Sequence, residues 1–206
     1  MQIDHVVYGV RDLEAAASRM KADFGLGSIP GGRHPGWGTG NWIVPLGPNY
    51  VELLAAVDKA EAERSELGRS LLAAVADGDR FLGWCVSTDD VETVAARLEL
   101  PVVAGTRERP DGTKLRWRSA GLDRAMAEPS LPFFITWDVP DNLHPGRAEA
   151  GHIAPPQGIA WLEIGGDALR LNEWLDGFEL PVRVVGGPPG VLAVGIAAEP
   201  DEIVLR

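Results

Sequence analysis

The chain has 206 residues, 45% of them hydrophobic, enough for one sizeable domain or two small ones around a buried core. Acidic side chains outnumber basic ones by 30 to 19, and the formal charge of -11 repels phosphate backbones and anionic membrane surfaces, which disfavours a nucleic-acid partner. A single cysteine (Cys85), an N-terminal stretch interrupted by Asp4 and no apolar run of roughly eighteen residues predict a soluble cytoplasmic protein without disulfide, signal peptide or membrane span.

The first predicted strand covers 3–10 (IDHVVYGV) and leads to a helix opening near Asp12, with Leu13, Ala16, Ala17 and Met20 on one stripe. Segment 31–40 holds five glycines around Arg33, His34, Trp37 and Thr39. Its plainer reading is a mobile hairpin connection, but so flexible a chain carrying these groups is costly to order unless it covers a ligand, which predicts a loop lining or lidding a pocket. It is not a phosphate loop: it precedes a strand and lacks both the Walker lysine and a following helix, so no nucleotide cofactor is expected. Strands follow at 42–46 and 50–56 across a Gly47-Pro48-Asn49 turn, then a connecting helix over 60–75 with Leu67, Leu71, Leu72 and Val75 in a stripe.

A second strand-helix pair comprises 81–87 and a helix through Val91, Val94, Ala95 and Leu98, followed by strands at 102–109, 114–119 and 132–138 with a turn at 110–112. Stretch 140–156 has no periodicity and reads as a linker loop. A third pair comprises 159–164 and a helix through Leu171, Trp174 and Leu175, with strands at 182–185, 191–197 and 202–205. An aspartate stands at each strand-to-helix junction as an N-cap: Asp12, Asp90 and Asp167, spaced by 78 (90 - 12) and 77 (167 - 90) residues. The tetrapeptide ELPV follows the helix in copies two and three. Duplication is therefore expected, with βαβββ module 1 at 1–57, the connecting helix at 58–79, module 2 at 80–139, the linker at 140–156 and a βαβββ-like module 3 at 157–206.

The segments IDHVVYGVRDLEAAA, GGRHPGWGTGNWIVPLG at 31–47, YVELLA at 50–55 and PFFITWD at 132–138 followed by His144-Pro145 together resemble the glyoxalase-like domain of the vicinal oxygen chelate superfamily. The resemblance implies an α+β fold: paired βαβββ modules forming curved mixed sheets, a glyoxalase/dihydroxybiphenyl dioxygenase-like open barrel, with a small-molecule ligand and often a divalent metal inside. The superfamily includes isomerases, extradiol dioxygenases, epimerases, thiol transferases and drug-sequestering proteins.

The same resemblance puts metal ligands on the first and fourth strands, here His5 and Glu52, apt for Zn²⁺, Fe²⁺, Mn²⁺ or Ni²⁺. The corresponding positions elsewhere carry none: seven residues before the junction aspartate stand Gly83 and Ala160, and opposite Glu52 stand Ile135 or Thr136 and Ile203 or Val204. Two ligands fall short of the three of a catalytic zinc, so His34 or His144 would complete the site. His5 has the alternative of a histidine satisfied within the sheet. Glu52, among apolar neighbours, needs a metal, an arginine or a substrate facing it.

As an enzyme the chain would use Glu52 and His34 catalytically, with Arg33 or Arg107 neutralising a substrate anion and Trp37, Thr39, Asn41, Trp137 and His144 contacting ligand. Lys114, Arg116 and Arg118 share a strand face; this reads as a solvated edge, with an anion-binding wall that includes Arg107 and Arg109 as the second reading. Trp84 and Trp161 are expected in the core and Cys85 as a structural thiol. The rival function is metal-free sequestration of an aromatic or anionic compound in a cup lined by Trp37, Trp42, Trp117 and Trp137. An odd module count leaves one open sheet unpaired and predicts a homodimer.

Overall fold

A computed structural model describes residues 1–109 and 111–206; Pro110 of the predicted 110–112 turn lies outside the described residues. The first run is β1 (Gln2–Gly9), α1 (Leu13–Phe24), β2 (Ile29–His34), β3 (Thr39–Pro45) and β4 (Tyr50–Ala56). Two short helices follow, α2 (Lys59–Ala62) and α3 (Glu66–Ala74). The second run is β5 (Arg80–Ser87), α4 (Val91–Leu98), β6 (Val102–Glu108), β7 (Lys114–Ala120), α5 (Leu122–Ala127) and β8 (Phe133–Trp137). Two 3-10 turns, Asp141–Leu143 and Pro145–Arg147, lead into the third run: β9 (Pro156–Gly165), α6 (Ala168–Trp174), β10 (Val182–Val185), β11 (Gly190–Ala198) and β12 (Ile203–Leu205). No helix is long and apolar enough to cross a membrane among the described residues.

The junction aspartates cap their helices: Asp12 accepts from the Ala15 amide, Asp90 from Thr93, and Asp167 from Leu169 and Arg170. The predicted 60–75 helix is broken because Ser65 starts a new one, its hydroxyl accepting from the Gly68 amide. Segment 31–40, expected as a loop, is instead a hairpin: β2 pairs antiparallel with β3, His34 opposite Thr39. Its glycines serve close approach. A Cβ at Gly31 would overlap the Asn41 amide oxygen and the Arg107 guanidinium, and Gly32 adopts φ +152° beside the Arg107 stem.

Modules 1 and 2 share one eight-stranded sheet, in the order β2-β3-β4-β1-β5-β8-β7-β6. Each module places its fourth strand parallel to its first, β4 on β1 and β8 on β5, and β1 and β5 join the halves antiparallel. The sheet curls until its edge strands β2 and β6 meet at Gly31, Gly32 and Arg107, nearly closing a barrel. Alternation sorts the side chains. Val6, Val51, Leu53, Trp84 and Phe134, all fully buried, point to the convex face and form the main core with α1, α4 and the third module. His5, Val7, Glu52, Leu54, Phe133 and Ile135 point to the hollow.

The third run keeps the βαβββ element order but not the strand order: its separate sheet reads β10-β9-β11-β12, with β10 parallel to β9 and β11 on the other side. With its central strand β9 flanked on both edges, this sheet packs its apolar face on the convex side of the barrel through Leu162, Ile164, Val194 and Ile196. Trp84 is fully buried, as expected, whereas Trp161 lies half-buried across Gly195 and donates to Glu202.

Candidate functional site

The hollow between the two halves is a cavity of about 950 Å³ counted to its open mouth, and none of its lining comes from the third module. At its polar end stands His5. The β1–β5 register slips between Ile3 and His5, leaving Asp4 as an extra residue without a partner on β5. Such a bulge re-aims side chains, and here it lets two sequence neighbours meet: Asp4 Oδ1 accepts from His5 Nδ1 at 2.6 Å. Nδ1 is therefore the donor to Asp4, and Nε2 is turned to Glu52 Oε2 at 4.0 Å. Tyr50 stacks on the His5 ring at 4.5 Å and Phe133 packs edge-on at 5.4 Å, fixing its plane.

Asp4 is 1% exposed and takes two further N–H donors on Oδ2, Trp137 Nε1 at 3.0 Å and His144 Nε2 at 3.1 Å. The His144 tautomer is set by the Gly146 amide, which donates to Nδ1 at 3.1 Å. Burial pushes the Asp4 carboxyl up, but hydrogen bonds from His144 and His5 outweigh it and hold the group well below the ordinary carboxylate range.

A second chain of bonds supports Glu52. Arg107 Nη1 donates to Asn41 Oδ1 at 2.6 Å, and Asn41 Nδ2 donates to Glu52 Oε1. The amide orientation is forced, since guanidinium only donates and carboxylate only accepts. His34 completes this layer: Nδ1 meets Thr39 Oγ1 at 3.0 Å and Nε2 lies 3.4 Å from Asn41 Nδ2. Burial pushes the His34 base down, Glu52 partly offsetting and Arg107 adding, so the ring is neutral.

Of the sequence-predicted residues, the cavity brings together His5, His34, Trp37, Asn41, Glu52, Arg107 and Trp137. Thr39 is fully buried behind His34, and His144 stands behind Asp4 on the far side of β1. Arg33 lies on the outer surface, paired with Asp58 at 3.5 Å and Glu61 at 3.2 Å. Lys114, Arg116 and Arg118 lie on the outer face of β7, where Arg118 pairs with Glu92 and Asp138. Arg107 sits opposite Leu115 and points inward, away from that solvated edge. Asp4, Tyr50, Leu82 and the α5 residues Leu122 and Met126 escaped sequence reasoning. The one available signal was Asp4 itself, a charge beside a histidine in an otherwise apolar strand.

His5 Nε2 and Glu52 Oε2 are chemically suited to hold a divalent ion. Each has the support that metal ligands have, since the imidazole donates its other N–H to a carboxylate and the carboxylate is itself hydrogen-bonded. A different set, Asp4, His5 and Cys85, has donor atoms within 4.8 Å of one another. It does not fit a metal: three N–H groups occupy Asp4, His5 Nδ1 is already committed, and burial pushes the Cys85 thiol far up, keeping it protonated.

A barrel of two βαβββ modules with a polar pocket is the architecture of glyoxalase-like proteins, and the glyoxalase-like domain profile matches residues 3–177. The chain belongs to that family. Among solved structures it resembles a hypothetical protein from Staphylococcus aureus, with TM-score 0.64 and 18% identity over 98% of this chain and 84% of that one. A Streptomyces coelicolor methylmalonyl-CoA epimerase aligns at TM-score 0.47 and 19% identity, covering 66% of this chain and 96% of its own. The Mycobacterium tuberculosis methylmalonyl-CoA epimerase aligns at TM-score 0.46 and 17% identity, covering 66% and 86%. No curated protein matches the chain.

Proposed function

We propose that the chain is a metal-assisted enzyme of the lyase, isomerase or dioxygenase type, acting on a small oxygen-bearing molecule in the barrel cavity. The observation that carries this reading is the approach of His5 Nε2 to Glu52 Oε2, 4.0 Å apart at the cavity's polar end, each with its second polar atom held by a buried partner. These two residues would hold the ion. Bound there, a divalent metal supplies Lewis-acid polarisation of a substrate oxygen and acidifies its water. Among the described residues only two protein donors face the cavity at this point, which leaves positions open for a chelating substrate.

The chain's own groups do the rest. Asp4 fixes the His5 tautomer, and Asn41 fixes the Glu52 rotamer. Glu52 is the group able to take a proton from bound substrate, within reach of the neutral His34 through Asn41. Leu54, Leu82, Phe133 and Ile135 exclude water around the reacting atoms.

Zn²⁺, Mn²⁺ and Ni²⁺ titrations of chelator-stripped protein by calorimetry test the reading. One site per chain is expected, weakened by about a hundredfold or more in His5→Ala and in Glu52→Gln. Absence of a stoichiometric site, or unchanged binding in the double variant, overturns it.

One observation favours sequestration without a metal: Gly83 and Ile135 line the cavity where a second ligand pair would stand. Tryptophan-fluorescence titration of a compound panel with chelator present decides. Ligand binding that survives metal removal supports sequestration, and loss of binding supports the enzyme.

A further inference from the structure

Arg107 is the one arginine buried among the described residues, 5% exposed at the seam where β6 meets β2. Its neighbours force it there, for Gly31 and Gly32 leave room for its stem and Asn41 anchors Nη1. Yet no carboxylate lies within ion-pair distance of it among the described residues, whereas Arg33, Arg97, Arg118 and Arg170, all more exposed, have one. Nε and Nη2 have no acceptor among the described residues. Among the described residues no fully enclosed side-chain polar atom lacks a partner, so these two atoms keep accessible surface, and the space Arg107 borders is the cavity. A desolvated cation with its donor fork turned into a pocket is unfavourable unless an anion completes it.

We propose that the cavity takes a small monocarboxylic acid with an apolar body, its carboxylate docked on the free Nε–Nη2 edge of Arg107. This rests on the reading of the cavity as a small-molecule site and adds the class of molecule. The planar fork matches a carboxylate in bidentate fashion. One guanidinium balances one negative charge; a phosphate dianion would leave its second charge facing Glu52, a single amide away. An apolar part of the enclosure, including Leu67, Leu82, Leu122, Met126 and Trp117, takes the body of the ligand. Because only Asn41 separates Arg107 from Glu52, docking the carboxylate brings the carbons next to it to the His5–Glu52 pair.

The test uses wild-type protein in EDTA, with 3-phenylpropionate, its neutral isostere 3-phenylpropionamide and phenethyl phosphate as probes. Binding is read from the fluorescence of Trp37, Trp117 and Trp137, which line the cavity. The acid is expected to bind about tenfold or more tighter than the amide, a difference set by the charged hydrogen bonds. Arg107→Met abolishes that discrimination and Arg107→Lys retains part of it. Equal binding of acid and amide by the wild-type protein overturns the proposal whether or not the variants fold. So does tighter binding of the phosphate, acid selectivity that persists in Arg107→Met, or no binding of the acid. Because chelator is present throughout, a carboxylate that sat on a metal instead would show no selectivity here, and the metal titrations report separately on the His5–Glu52 reading.

Discussion

The wall built from β1–β4 and the wall built from β5–β8 follow the same strand order around one hollow and carry opposite chemistry. The first offers His5, His34, Asn41 and Glu52; the second offers Leu82, Phe133 and Ile135, with Gly83 standing where the repeat would put a counterpart to His5. Among the described residues Arg107 alone brings charge to the cavity from the second half, and it does so by crossing the seam to Asn41 of the first. The contrast shows how repetition separates fold from function: alternation along both walls preserves the barrel, while polar groups are kept on the wall where each has a partner. The apolar wall then lowers the dielectric around the polar one and strengthens each interaction within it.

Three perturbations break or sharpen that contrast. Asp4→Leu strikes the polar wall from behind, stranding the N–H groups of His5, His144 and Trp137. A loss of about 3–5 kcal/mol in urea unfolding is expected, with Asp4→Asn, which still accepts hydrogen bonds, losing less. A loss under about 1 kcal/mol for the leucine variant would show that the network is not what holds this wall.

Acid should act on the polar wall as well. The folded His34 base lies below its ordinary value of 6.5, chiefly through burial, so the stability it contributes is present above that pH. It is lost as pH falls, because the unfolded chain takes up a proton that the folded one refuses. Stability should therefore decline from pH 7 to pH 5, and His34→Gln should flatten the decline; His152, whose base burial also lowers, leaves a residual slope. Identical slopes in wild type and variant would contradict the buried, neutral assignment. The smallest effect belongs to Arg33→Ala. That side chain is 59% exposed outside both walls, and its loss should change stability by less than about 0.5 kcal/mol and leave probe binding unaltered.

Much of the scaffold could be read from residue order. The junction aspartates and the alternating strands follow from local periodicity, which needs only neighbours in sequence, whereas the place of His5 and Glu52 on first and fourth strands comes from the family resemblance. What could not be read depends on contacts distant in sequence. Strand β2 looked like a loop because its glycines answer to Arg107, 76 residues away from Gly31 (107 - 31). Helix α5 is short and has no side-chain N-cap, Gly121 standing at the position, so it carried no start signal. Alternation would have put Asp4 and His5 on opposite faces, and the bulge that overrides it is a property of pairing with β5. A second slip, between Val7 and Tyr8, does the same for Leu82, which joins Gly83 on the cavity side.

The extra residue in β1 also settles which charges a guest molecule meets. Asp4 lies outside the lining of the hollow; inside it, its carboxylate beside that of Glu52 would repel any anion approaching. Tucked beneath the strand and screened by its three donors, Asp4 steadies the imidazole without presenting its charge to the interior, so an incoming acid confronts the carboxylate of Glu52 alone.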